Sequence, residues 1–178
     1  MADQRIVYTE EVVGAGHPTK TDTLNRLALV EHNNDGTHKT RSFSVHKNGI
    51  NQTAITNATW IKITWSAEEW DTNSNFASDR FTPTVAGKYA LKAQVQWVGP
   101  GGAAAICTIS IYKNGTPHRI ATSLDNNLVI NPSTDISCDV DANGTTDYFE
   151  VYVYHNFGSD RTITGPATDT FFQGHKAD

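Results

Sequence analysis

Residues 87–102 read GKYALKAQVQWVGPGG, and apolar and polar side chains alternate along most of this stretch. Successive side chains of a β-strand point to opposite faces of the sheet, so the alternation predicts a strand with one buried face. The predicted buried face comprises Tyr89, Leu91, Ala93, Val95 and Trp97. The glycines and the proline at 99–102 are turn residues that end the strand.

Similar short runs, separated by turn residues, continue from about Arg41 onward. They include AAAICTISIYKNG (103–115), TDISCDVDANG (134–144) and DYFEVYVYHN (147–156). Helical periodicity is absent from this part, and Asn114-Gly115 is a strong signal for a tight hairpin. The sequence therefore predicts an all-β fold for a head domain at 41–178.

The run at 147–156 is apolar on both of its faces. The side chains that would face the core are Phe149, Val151 and Val153, and those that would face away are Tyr148, Tyr152 and Tyr154. A large apolar surface is rarely left exposed, so the tyrosine side needs a cover. Tyrosine suits a subunit interface, because it brings contact area at low entropic cost and carries a polar tip. The alternative is that loops of the same chain cover the tyrosines.

Residues 1–40 differ in character and are predicted to form an N-terminal anchoring arm. An extended start at 5–8 and a glycine turn at 14–16 precede one short helix, which begins at a capping box (19–22) and ends at the polar run 33–36. A single helix of about three turns cannot stand alone, so it must pack on the head, on symmetry mates or in a larger assembly. The side chains expected to anchor the arm are Ile6, Val7, Tyr8, Leu24 and Leu27.

Composition and charge exclude several classes of partner. The net charge is −5 and the 14 lysines and arginines are scattered, which argues against nucleic acid. No apolar run approaches the roughly 20 residues of a membrane helix, so no membrane insertion is expected. The start, MADQRIVYTEE, lacks the pattern of a signal peptide, so we expect the protein to be made in a cytoplasm and to need no Sec export. Cys107 and Cys138 are expected as free thiols, with a disulfide between them as the alternative.

Residues 139–150, DVDANGTTDYFE, satisfy the pattern of a calcium-binding EF-hand loop. That geometry needs a helix on each side, whereas both flanks alternate with the period of strands. We therefore predict a hairpin-type turn at Asn143-Gly144 with solvated carboxylates around it. No metal and no cofactor is expected.

Other signals of chemistry are sparse. The seven histidines lack metal-ligand spacing and are expected on the polar surface. No Gly-x-Ser-x-Gly elbow, P-loop or paired catalytic carboxylate is present, so no catalytic residue is assigned and the chain is not expected to be an enzyme. Among the four tryptophans, Trp70 is the candidate for an exposed aromatic that contacts a ligand, with core packing as the alternative.

Four motifs, taken in order, resemble those of one family. They are Phe43-Ser44-Val45, Phe81-Thr82-Pro83 followed by Gly87-Lys88-Tyr89, Ile111-Tyr112-Lys113-Asn114-Gly115, and Thr170-Phe171-Phe172-Gln173-Gly174. From Phe43 to Ala177 the sequence thereby resembles the globular head of complement component one, subcomponent q, within the tumour-necrosis-factor-like superfamily. The resemblance implies a ten-stranded jelly-roll sandwich that assembles as a compact homotrimer. Such a trimer would bury the tyrosine side of the strand at 148–154.

The sequence departs from this family before the head. No collagen-like repeat precedes it, and residues 12–38 are instead similar to leaders of virion proteins of tailed bacteriophages. This similarity implies a virion protein, an appendage of the phage head or tail, whose residues 1–40 contact other virion proteins and whose head adheres to a host surface, with a glycan as ligand. One alternative is a capsid decoration protein without a receptor. Another is a virion-borne glycan hydrolase or esterase, but the paired carboxylates that such enzymes need are missing.

Overall fold

The computed structural model describes residues 41–99, 105–125 and 131–177. The predicted arm at 1–40, with its helix and its anchoring side chains, lies outside these residues. Every regular element of the described residues is a β-strand, which confirms the predicted all-β class.

The described residues form thirteen strands. They are β1 (Ser42–His46), β2 (Gln52–Ile55), β3 (Ile61–Lys62), β4 (Ala67–Asp71), β5 (Phe76–Ala77), β6 (Arg80–Phe81), β7 (Gly87–Gln96), β8 (Ala105–Lys113), β9 (Thr116–Asp125), β10 (Ser133–Ala142), β11 (Phe149–His155), β12 (Arg161–Ile163) and β13 (Phe171–Lys176). The family resemblance implied ten strands. The additional segments include β3, β5 and β6, which have two residues each; β3 and β6 pair with β11, and β5 pairs with β6.

Two antiparallel sheets form the layers of a sandwich. The five-stranded sheet has the order β10-β7-β13-β1-β4, and the six-stranded sheet has the order β5-β6-β11-β8-β9, with β3 also paired to β11. A separate two-stranded sheet joins β2 and β12. Successive strands change repeatedly from one main sheet to the other, which is the arrangement of a jelly roll.

The core lies between the sheets, where their apolar faces meet. The alternating face predicted in β7 and just beyond it, from Tyr89 to Trp97, is at most 2% exposed, as predicted. The ring of Phe43 in β1 lies 4.2 Å from that of Phe81 and 4.9 Å from that of Phe172, measured between centroids. Such close contact between aromatic rings of both sheets fixes the spacing of the layers.

Two of the three Asn-Gly pairs of the chain, Asn114-Gly115 and Asn143-Gly144, have different roles. Asn114-Gly115 joins β8 to β9 as a tight hairpin with φ of 54° and 76°, as predicted. The hairpin predicted at Asn143-Gly144 is wrong, because β10 pairs with β7 in one sheet and β11 with β8 in the other. This turn crosses the sandwich, and a Cβ at Gly144 would overlap the backbone nitrogen of Ala86.

Candidate subunit interface

The tyrosines predicted at a subunit interface lie on the outer face of the six-stranded sheet. In β11, Phe149, Val151 and Val153 are fully buried in the core. Tyr152 and Tyr154 alternate with them along the strand and therefore point outward. Strand pairing continues this face into rows that cross β8 and β9. The rows are Tyr152, Ser110 and Ile120, and Tyr154, Thr108 and Thr122.

The aromatic side chains on this face stack on one another. The Tyr112 and Tyr152 rings are nearly parallel with centroids 4.0 Å apart. Trp60, which comes just before β3, lies 5.5 Å from the Tyr154 ring and 6.0 Å from the Tyr112 ring. The chain therefore covers part of the tyrosine surface itself, as the alternative proposed from the sequence holds, and leaves Tyr152 and Tyr154 half-buried.

A buried carboxylate lies beside the stacked rings. Glu150 of β11 is 3% exposed, and its Oε1 lies 2.8 Å from Lys62 Nζ and 3.2 Å from an Arg80 nitrogen. The guanidinium of Arg80 in turn lies 4.2 Å above the ring of Tyr148, a cation–π contact. Tyr148 thus contacts Arg80, whereas Tyr152 stacks on Tyr112.

Burial changes the acid–base behaviour of the tyrosines. It raises the pKa of Tyr112, and the neighbouring Tyr152 adds to the effect. Burial also raises the pKa of Tyr152, with a further contribution from the negative charge of Glu150. Both phenols therefore stay neutral and keep a hydroxyl that can donate a hydrogen bond to a partner.

The same face carries two of the large apolar side chains that the fold leaves exposed. On β9, the edge strand, Ile120 is 55% and Leu124 is 74% exposed. Their cross-strand partners Ser110 and Ile106 place both on the outer side of the sheet. We call this surface the aromatic face and define it by Trp60, Tyr112, Ile120, Leu124, Tyr152 and Tyr154.

Trp70 lies on the opposite side of the molecule, in β4 at the edge of the five-stranded sheet. It is 44% exposed, so it has the exposure that a ligand-contacting aromatic needs. Its neighbour across the strands is Ser44, whose hydroxyl donates to Glu69 Oε2 over 3.1 Å. The structure therefore does not bring Trp70 together with the predicted interface tyrosines.

The residues that match the calcium-loop pattern have other partners. Strands β10 and β11 flank the loop in place of helices. Asn143 Oδ1 accepts hydrogen bonds from the backbone N–H groups of Thr145, Thr146 and Asp147. The Asp147 carboxylate accepts from Asn114 Nδ2 and Lys113 Nζ, and the bond from Asn114 is the main reason why its pKa is lowered. Among the described residues, no three His, Cys, Asp or Glu side chains come together as metal ligands.

One histidine departs from the predicted polar surface. His155, at the end of β11, is fully buried, with Trp97 at 5.1 Å and Phe157 at 5.0 Å between ring centroids. Its Nε2 lies 2.9 Å from the carbonyl oxygen of Ile55, and its Nδ1 accepts the N–H of Phe157. The neutral Nε2–H form satisfies both contacts, which explains how an imidazole is tolerated in the core.

The two cysteines are free thiols, so the disulfide considered as an alternative does not form. Cys107 is buried in β8 and Cys138 is half-buried in β10. Within the described ranges, no helix has the length and hydrophobicity to cross a membrane.

Comparisons with known proteins concern the fold. No protein-family model and no curated protein matches the sequence. The crystal structure of murine APRIL at pH 5.0 is similar over 78% of this chain and 99% of its own length, with 12% identity and a TM-score of 0.57. Eiger TNF from S. frugiperda is similar over 79% of this chain and 94% of its own, with 11% identity and a TM-score of 0.58. The chain therefore has the tumour-necrosis-factor-like jelly-roll fold that its motifs predicted.

Proposed function

We propose that this chain is a structural and binding protein, not an enzyme, and that it assembles as a homotrimer through the aromatic face. The observation that supports the proposal is the apolar surface on the outer side of the six-stranded sheet. The chain covers it only in part with Trp60, while Ile120 and Leu124 stay more than half exposed. Tyr152 and Tyr154 add ring area with hydroxyl tips, the composition that favours a protein interface.

Light scattering behind size exclusion tests the assembly. We expect the full-length protein to have a mass near three times its 19.5 kDa. The double variant Ile120→Lys, Leu124→Lys should be monomeric, because it puts two charges into the contact without touching the core. Ile50→Lys is the matched control, since Ile50 is 58% exposed but lies in the turn between β1 and β2. A monomeric wild type, or a double variant that stays trimeric, would contradict the proposed interface.

The proposed place of the trimer is a tailed-bacteriophage particle, as an appendage of the head or tail that adheres to a host-surface glycan. The support is the similarity of residues 12–38 to leaders of phage virion proteins, which makes residues 1–40 the segment that would contact other virion proteins. Mass spectrometry of purified particles should find the protein. Excess purified protein added to host cells should then slow adsorption of the phage. Protein that is present in particles but does not compete would instead be a capsid decoration protein without a receptor.

A further inference from the structure

Two tyrosines of the aromatic face lie directly on each other. The ring centroids of Tyr112 on β8 and Tyr152 on β11 are 4.0 Å apart, and the ring planes differ by 22°. Glu150 is the cross-strand partner of Tyr112, so Tyr152 stands diagonally across from Tyr112, at a spacing that aromatic side chains can bridge. Seven consecutive residue pairs join β11 to β8, and this pairing holds the two rings together.

The other described tyrosines have neighbours of other kinds. They are Tyr89, Tyr148 and Tyr154. The first packs on Phe81 in the core, the second lies under the guanidinium of Arg80, and the third contacts Trp60. Within the described ranges, the pair of Tyr112 and Tyr152 is therefore the one place where two phenol rings are in contact.

Phenol rings in contact are joined by one-electron oxidation. Each phenol gives up one electron to the oxidant and its hydroxyl proton to water, which leaves a phenoxyl radical with spin density on the carbons ortho to the oxygen. Two such radicals combine through one ortho carbon of each ring. The hydrogen on each bonded carbon then moves through solvent to the oxygen of the same ring, which restores both aromatic rings and both hydroxyls. The product, dityrosine, has lost two electrons and two protons in all.

The neighbouring rings enlarge the area on which an oxidant acts. The ring centroid of Trp60 lies 6.0 Å from that of Tyr112 and 5.5 Å from that of Tyr154. The side chains of Trp60, Tyr152 and Tyr154 are half-buried, so an oxidant in solvent reaches their edges, although Tyr112 is only 8% exposed. Because electrons pass readily between rings in contact, a radical formed on any of these rings is transferred to the stacked pair.

From these observations we propose that Tyr112 and Tyr152 form a site of oxidative cross-linking, at which a small one-electron oxidant joins the two rings as dityrosine within one chain. The new bond fastens β8 to β11, which are neighbouring strands of the six-stranded sheet. In the unfolded chain it closes the loop 112–152, which lowers the entropy of the unfolded state and so stabilises the fold. The cross-link needs one chain alone, so it does not depend on the trimer proposed above.

Photochemical oxidation of the full-length protein with a ruthenium tris-bipyridine complex and persulfate tests the proposal. After reduction, which removes any disulfide, intact-mass spectrometry should show a single-chain product that is lighter by two hydrogen atoms. It should have the blue fluorescence of dityrosine and unfold at a higher urea concentration than the untreated protein. Protease digestion should yield one linked pair of peptides, which contain Tyr112 and Tyr152.

Four phenylalanine variants locate the cross-link. Tyr112→Phe and Tyr152→Phe should each lose the product, because a phenylalanine ring forms no phenoxyl radical, while the ring that packs on the sheet is kept. Tyr148→Phe and Tyr154→Phe are the matched controls on the same strand and its approach, and both should keep the product. Dityrosine that persists in both of the first two variants, or linked peptides that lack Tyr112 or Tyr152, overturns the pair as the site.

The remaining outcomes separate the cross-link from the proposed function. The double variant Ile120→Lys, Leu124→Lys should give the same product, since no second copy is needed. Absence of the product from both the wild type and this variant overturns the proposal, and so do products joined solely between chains, which run as dimers on a denaturing gel. A monomeric wild type that forms the intrachain product would instead contradict the trimer and support the cross-link.

Discussion

The outer faces of the two sheets hold their side chains in different ways. On the aromatic face, Tyr152 stacks on Tyr112, Trp60 contacts Tyr154, and Glu150 is enclosed by two cations. On the outer face of the five-stranded sheet, side chains such as Ser137 and Asp139 stand exposed. A sheet face that is apolar on its outer side must be covered, and on the aromatic face Trp60 of the same chain covers part of it. A polar face can stay open to solvent. Substitutions should therefore reduce stability on the aromatic face and have little effect on stability at exposed positions on the outer face of the five-stranded sheet.

The largest difference in the free energy of unfolding is expected between the alanine variants of two carboxylates, Glu150 and Asp139. Glu150→Ala removes both ion pairs of a carboxylate that is 3% exposed and leaves Lys62 and Arg80 facing each other. We expect a loss of about 2–3 kcal/mol in the free energy of unfolding, below the value for a fully buried pair because both cations are partly exposed. Asp139→Ala, at an exposed position of β10 in the five-stranded sheet, should change the free energy of unfolding by less than about 0.5 kcal/mol. Urea unfolding of the two variants measures both values, and equal losses would contradict the contrast between the faces.

The strand faces were predictable because alternation is a local property of the chain. Phe149, Val151 and Val153 are buried as the pattern at 147–156 indicated. The pairing of strands was not predictable from the Asn-Gly dipeptide, since a glycine with φ near +70° occurs both at Gly115 in a hairpin and at Gly144 in a crossing between sheets. The dipeptide encodes a backbone conformation but does not say which sheet the next strand joins.

The outward position of the interface tyrosines could be predicted from sequence, but the residue that covers them could not. The period-two pattern placed Tyr152 and Tyr154 outside the core, and both lie there. Their cover could not be found from sequence, because Trp60 comes from a part of the chain more than ninety residues earlier. The burial of His155 was also missed, since an alternating strand assigns a histidine to a face but does not supply the carbonyl of Ile55 that satisfies it.

Two tryptophans offer the second test of the contrast. Trp60→Ala removes the ring that lies on Tyr112 and Tyr154, and we expect a loss of about 2 kcal/mol in the free energy of unfolding. Trp70→Ala, in the edge strand β4 of the five-stranded sheet, should cost less than about 1 kcal/mol because almost half of the side chain is already exposed. Thermal unfolding at a protein concentration too low for association isolates the effect on the single chain. A larger loss for Trp70 would show that the outer face of the five-stranded sheet is the more tightly packed.

The third prediction concerns pH and the inner side of β11. Burial lowers the pKa of His155 below its usual value of 6.5, with Asp160 and Arg161 as the nearest charged influences. As pH falls through 6.5 the unfolded chain takes up a proton before the folded chain does, so stability falls, by at most about 1.4 kcal/mol per pH unit. The loss ends once pH is below the lowered pKa of the folded state, and above pH 6.5 the contribution is fully retained.

Urea midpoints between pH 7.5 and pH 5 test this dependence. His155→Gln should flatten the curve, since the amide keeps a donor for the Ile55 carbonyl and does not titrate. His175→Gln, which replaces an exposed histidine on the outer side of the five-stranded sheet, is the control variant and is measured over the same pH range. An unchanged slope in the His155 variant would assign the acid sensitivity to other groups.

The smallest effect is expected from the two free thiols, which report how each sheet opens. Cys107 is buried in β8, whereas Cys138 is half-buried in β10, where it packs against the core opposite Leu91 and burial raises its pKa. Because the thiolate is the reactive form, we expect a disulfide reagent to label Cys138 slowly in the native protein and Cys107 only after unfolding. Cys138→Ser should abolish native labelling. Equal labelling rates for the two thiols in the native protein would contradict the difference in their burial.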